Sequence, residues 1–186
     1  MNVNKFNNFL DTFSYKVSTD GKDKKIILPK INDIRKLSIV NKTSLISVII
    51  PDGVISIGNY TFANCESLES ITIPDSVIYI GRCAFFVCKS LKSITIPDSV
   101  TNIGNSAFAG CRSLTSIIIP NGVTSIGVYT FGGCESLKSI TIPDGVTNIH
   151  QEAFDNCSPD LVIHGKSGSY AEEYAKQNNI TFKADI

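Results

Sequence analysis

The chain has 186 residues, enough to bury a substantial core as one domain. Lys plus Arg equals Asp plus Glu at 17 each, so no basic field points to nucleic acid. No run approaches the ~18 consecutive apolar residues of a membrane span. The opening MNVNKFNNFLDTF lacks an apolar run of signal-peptide length, which makes the cytoplasm the default compartment.

Residues 1–23 are polar and do not repeat. Phe6, Phe9, Leu10 and Phe13 recur at helical spacing and predict a short amphipathic helix, read as an N-terminal cap. Residues 24–42 look like a decayed copy of the unit that begins at Thr43, since Pro29 precedes Pro51 by 22 and Ile34 precedes Ile57 by 23. From Thr43 to Cys157 the chain repeats every 23 residues. Leucine stands at 45, 68, 91, 114 and 137, and proline at 51, 74, 97, 120 and 143. Valine stands at 54, 77, 100, 123 and 146, isoleucine at 57, 80, 103, 126 and 149, and phenylalanine at 62, 85, 108, 131 and 154. A unit this short cannot hide its apolar residues alone, so copies must stack around a shared core.

Within a unit, Leu-x-x-Ile-x-Ile ends on a period of two, the pattern of a strand with those side chains inward. The proline lacks an N–H for the ladder and stops the strand. Asp-Gly or Asp-Ser then turns the chain. Val-x-x-Ile-Gly runs back on the other side, and the phenylalanine segment is short enough for one helical or 3₁₀ turn. The period breaks at Ser158-Pro159-Asp160. Leu161–Ile163 reads as a last strand. Ser169 with Glu172 forms a capping box that starts a helix near Tyr170, and Ile180 to Lys183 reads as a closing strand.

The unit, written Leu68-x-x-Ile71-x-Ile73 with its IPDSV, IG, AF and cysteine, resembles the BspA-like subclass of leucine-rich repeats. The resemblance implies a right-handed repeat solenoid with a parallel β-sheet on its concave side and short turns on its convex side. It also implies a short C-terminal helix–strand cap. The expected division is an N-terminal cap over 1–23, a solenoid over 24–163 and a C-terminal cap over 164–186. Members of this subclass are generally binding or adhesion proteins of microbial surfaces, which sets a cell-surface or secreted location against the cytoplasmic default.

The chemistry-bearing residues fall into columns. Cysteines at 65, 88, 111, 134 and 157 are spaced as a repeat position, not as disulfide partners or zinc pairs. They are expected to be buried and reduced. Cys83 lies off that column, where other units carry Tyr60, Ser106, Tyr129 and Glu152, and is expected to be the exposed, reactive thiol. His150 and His164 are isolated and have no convergent partners for catalysis. Asp52, Asp75, Asp98, Asn121 and Asp144 are explained by turn formation, so no metal and no cofactor are expected. With stacking at zero offset, Glu66 faces Lys89, Glu69 faces Lys92 and Arg112 faces Glu135.

The outward strand positions are Ser47, Ser70, Ser93, Ser116 and Ser139 beside Ile49, Thr72, Thr95, Ile118 and Thr141. A nucleophile needs one activated copy, not five equivalent ones, so these residues argue for a surface and against an enzyme. They are the expected binding face of a monomeric, non-enzymatic module for a protein or glycan partner. The alternative is a structural spacer within a larger surface assembly.

Overall fold

The computed structural model describes residues 25–28 and 39–184. The cap expected over 1–23 and most of the decayed repeat lie outside the described residues. Each 23-residue unit makes one turn of a parallel-strand solenoid, and each turn has a strand side, a return side and a phenylalanine side.

On the strand side, Lys25–Ile27, Ser47–Ile49 and Ser70–Thr72 pair in parallel at zero offset, with Ser47 opposite Ser70 and Val48 opposite Ile71. A second group joins Ser116–Ile118, Ser139–Thr141, Val162–Gly165 and Thr181–Ala184 in the same way. The expected continuous sheet through Ser93 is therefore interrupted. Ser93–Thr95 is paired as a strand with neither neighbour, although Ile94 and Ile96 still point inward. The core is slightly open there: Ile71, Ile73, Ile94 and Ile96 keep 7–9% of their surface exposed, against 0–3% for Val48, Ile117, Ile119, Ile140 and Ile142.

The return side is more regular than a plain turn. Ser56–Ile57, Tyr79–Ile80 and Asn102–Ile103 form one short parallel sheet, and Ser125–Ile126 with Asn148–Ile149 another. The glycine that follows the isoleucine is required by close approach. A β-carbon on Gly81 would lie 2.6 Å from the backbone nitrogen of Asn59, and one on Gly104 would lie 2.5 Å from that of Arg82.

The phenylalanine side carries a third ladder. Tyr60, Phe62 and Asn64 donate N–H groups to the carbonyls of Arg82, Ala84 and Phe86 at 2.7–2.9 Å. The alternate amides, of Thr61, Ala63 and Cys65, bond three residues back within the same turn. The ladder continues turn by turn from Ile39 to Asp155. It demands left-handed backbone at two points per turn. One is the column of Tyr60, Cys83, Ser106 and Tyr129 (φ 51–58°). The other is the column of Asn41, Asn64, Val87, Gly110, Gly133 and Asn156 (φ 56–74°). Asparagine and glycine suit the second column, whereas Val87 is a β-branched residue held there at strain.

Beneath this ladder the rings of Phe62, Phe85, Phe108, Phe131 and Phe154 stack nearly parallel, with centroids 5.3–5.6 Å apart. Paired strands lie about 4.8 Å apart. The strand side is the face expected to be concave in this architecture. At the far end Tyr174 tilts across Phe154 at 5.9 Å and donates its hydroxyl to the Gln151 carbonyl. Tyr174 belongs to the helix Tyr170–Gln177, whose N-cap is Ser169. The Glu172 amide donates to Ser169 Oγ at 3.4 Å, and the Glu172 carboxylate reaches back to the amide of Gly168. That helix and the strand after it close the column.

Candidate functional site

The concave face is built by alternation. Val48, Ile71, Ile94, Ile117 and Ile140 point into the core, which sends the residues on either side of each outward. Ser70, Thr72, Ser93, Thr95, Ser116 and Ile118 are exposed, and Ser47, Ile49, Ser139 and Thr141 are half-buried. The serine and threonine hydroxyls on this face donate to no other described residue, so they are free for an external partner. Ile118 is 69% exposed, more than any other large apolar side chain among the described residues. Among the described residues the face carries no Phe, Tyr or Trp, and His164 continues its outer row beside Thr141.

Charged rows flank the N-terminal ends of the strands. Lys89 meets Glu66 at 2.9 Å, Lys92 meets Glu69 at 3.3 Å and Arg112 meets Glu135 at 3.2 Å, as zero-offset stacking requires. Beyond the C-terminal ends lie Asp52, Asp75, Asp98, Asn121 and Asp144, all exposed. Lys166 sits 3.0 Å from Asp144 and holds its carboxyl below the usual carboxylate range. Among the described residues no three His, Cys, Asp or Glu side chains gather as metal ligands.

The thiols differ from the sequence expectation at Cys83 and Cys157. Cys83 is 7% exposed, not a surface residue. Tyr60 and Tyr129 in the same column reach solvent at 43% and 40% because their side chains are long. Cysteine at the same left-handed position is too short to emerge. Cys65, Cys88, Cys111 and Cys134 are fully buried and reduced. Each donates its S–H to a carbonyl of the preceding turn, Ile39 for Cys65 and then Phe62, Phe85 and Phe108, at 3.2–3.3 Å. Burial pushes the Cys65 and Cys111 thiols up to about 11 and about 12. Cys157, bonded to the Phe131 carbonyl, is only partly buried because the repeats end there. Interaction with the neighbouring Cys134 holds its pKa below the ordinary thiol value. The column is a packing device with a weak donor per turn, and its accessible member is Cys157.

The two histidines lie on different sides of the stack, and His164 is directly opposite Thr141 of the concave face. His150 Nδ1 accepts the Glu152 amide at 3.2 Å on the surface, and His164 lies on the last solenoid strand. Several features escaped the sequence reading. Ile55 and Ile78, 52% and 48% exposed, sit side by side on the return sheet. Thr61 and Thr130 are buried where other turns carry alanine, and each satisfies its hydroxyl on the glycine carbonyl three residues back. Their equivalents in the period were the available signal.

The family model of the BspA-type leucine-rich repeat region matches residues 32–160 with six copies. The chain belongs to the BspA-type leucine-rich repeats. Solved relatives agree on the fold. A T. pallidum leucine-rich repeat protein matches at 22% identity and TM-score 0.66 over 93% of this chain and 96% of its own. The pneumococcal vaccine antigen PcpA matches at 22% identity and TM-score 0.70 over 89% of this chain and 42% of its own. A Bacteroides ovatus leucine-rich repeat protein matches at 29% identity and TM-score 0.55 over 83% of this chain and 54% of its own. The BspA-type chain thus spans about half the length of the last two. No curated protein matched. No helix among the described residues is long and apolar enough to cross a membrane.

Proposed function

We propose that this BspA-type array is a non-enzymatic recognition module that engages a protein or glycan partner along its concave face. The observation that carries the reading is that face itself: rows of hydroxyls that bond to no other described residue, with the exposed Ile118 among them. Extended concave surfaces are how solenoids bind. The binding residues are Ser47, Ile49, Ser70, Thr72, Ser93, Thr95, Ser116, Ile118, Ser139 and Thr141. The pneumococcal relative is a vaccine antigen, which supports a cell-surface or secreted setting for this chain.

The test is a binding screen of the immobilised chain against surface glycans and surface proteins, followed by two variants. Replacing Ser93, Thr95, Ser116 and Ile118 with lysine should abolish capture while circular dichroism is unchanged. Lysine at Asn105 and Ser106, on the opposite side, should leave capture intact. Loss in the second variant alone places the site elsewhere. Single changes such as Thr95→Ala should lose little, because an exposed hydroxyl exchanges a water bond for a ligand bond at a net gain of only about 0.5–1.5 kcal/mol. A chain that captures nothing in either screen would be a spacer.

A further inference from the structure

We infer that Asn121 is a site of spontaneous backbone modification in the folded protein, converting to aspartate and isoaspartate through a cyclic imide with Gly122. The reaction needs a neighbouring amide nitrogen that is free to attack the side-chain carbonyl. The turn Pro120–Val123 supplies one. Asn121 and Gly122 are both exposed, and the turn is closed by the Val123 amide on the Pro120 carbonyl at 3.0 Å. The Gly122 amide itself donates to no other described residue.

The equivalent glycine three repeats earlier shows what is missing. Gly53 donates its amide to Ser76 Oγ in the next turn at 3.0 Å, and that hydroxyl passes the bond to the Val54 carbonyl at 2.8 Å. Ser99 makes the same link to the Val77 carbonyl. In the turn after Gly122 the position is Gly145, which has no hydroxyl to receive the amide. Other asparagines differ. The amides after Asn59, Asn64, Asn105, Asn156 and Asn178 are all tied to carbonyls, those of Arg82, Phe62, Val128, Phe154 and Lys176. The fold therefore holds these five and leaves Asn121 open.

In the reaction the Gly122 nitrogen bonds to Asn121 Cγ, the Cγ–Nδ2 bond breaks, and ammonia leaves with the proton from Gly122. Water then opens the imide at either carbonyl. Opening one way gives aspartate, the residue at 52, 75, 98 and 144 in the equivalent turns. Opening the other way inserts a methylene into the backbone three residues beyond Ile118.

The experiment is peptide mapping by mass spectrometry of the folded chain after incubation at mildly alkaline pH, in parallel with the chain unfolded in guanidinium. Asn121 should convert at the same rate in both samples, whereas Asn59 and Asn105 should convert only after unfolding. A marked slowing of Asn121 in the folded sample would overturn the inference. Gly122→Ser removes the unhindered glycine nitrogen and should slow conversion while the chain stays folded. If that variant misfolds, the folded-against-unfolded comparison on the unaltered chain still decides.

Discussion

The phenylalanine side and the strand side of the solenoid are made from the same 23-residue unit, yet they hold the stack together unequally. On the phenylalanine side every turn from Ile39 to Asp155 is tied to the next by backbone hydrogen bonds, over an unbroken column of stacked rings. On the strand side the ladder stops at Ser93–Thr95, and the isoleucines beneath are among the least sealed of the core. Cohesion thus resides on the convex side. The concave side is left freer in its outward side chains.

The largest test of this contrast is substitution in the two cores at neighbouring points of the stack. Phe108→Ala should cost about 3–5 kcal/mol, because it empties a fully buried ring site inside the continuous ladder. Ile94→Val, beneath the interrupted strand, should cost about 0.5–1.5 kcal/mol and fall at the low end. Denaturant unfolding measures both. Hydrogen exchange sharpens the comparison, since the amides of Phe85, Val87, Phe108 and Gly110 should outlast those of Ser93–Thr95. Equal protection on the two sides would remove the contrast.

A second test relieves strain on the strong side. Val87 holds a left-handed backbone (φ 59°) where Asn41, Asn64 and Asn156 stand in other turns. A left-handed conformation costs an ordinary residue roughly 1–2 kcal/mol. Val87→Asn should raise the midpoint of thermal unfolding, and a fall would mean that the valine packing against the next turn outweighs the strain.

The apolar columns of Leu, Ile, Val and Phe were legible in the sequence because one 23-residue period sets both the spacing and the burial. The ion pairs were legible for the same reason. The break in the strand ladder was not. Residues 70–77 and 93–100 share the sequence SITIPDSV, yet the first pairs as a strand and the second does not. Identical residues cannot encode that difference locally; it depends on how neighbouring turns sit against each. Cys83 was misplaced because its exposure is decided by side-chain length at a left-handed position, which the polarity of its column does not reveal. The candidate site was legible as a face and as a set of outward residues. Its partner was not, since hydroxyls in a row suit many ligands.

Thiol chemistry separates the end of the column from its middle. Cys157 should take up iodoacetamide first in the folded chain, as the partly exposed member with a lowered pKa. Its rate should climb as pH rises through that pKa, because only the thiolate attacks. Cys65 and Cys111, raised to about 11 and about 12, should stay unlabelled until unfolding. Cys83 labelled ahead of Cys157 would contradict the burial described for it.

The smallest effects belong to the charged rows. The partners in Glu66–Lys89, Glu69–Lys92 and Arg112–Glu135 are all 40–68% exposed. At such exposure a cross-turn pair contributes about 0.2–1 kcal/mol, and salt screens it. Glu66→Gln should therefore lower stability by no more than that, and the loss should vanish in molar salt, where the screening length falls to about 3 Å. Charge reversal is the sharper probe. Glu66→Lys sets a cation against Lys89 directly across the turn, so it should cost more than the neutral change at low salt and equally little at high salt. The added Lys89→Glu should restore at least the original stability if turns stack at zero offset, since position 89 then faces Arg112 on its other side. A slipped register would instead leave the double variant as unstable as the single one, since the two substituted positions would no longer face each other.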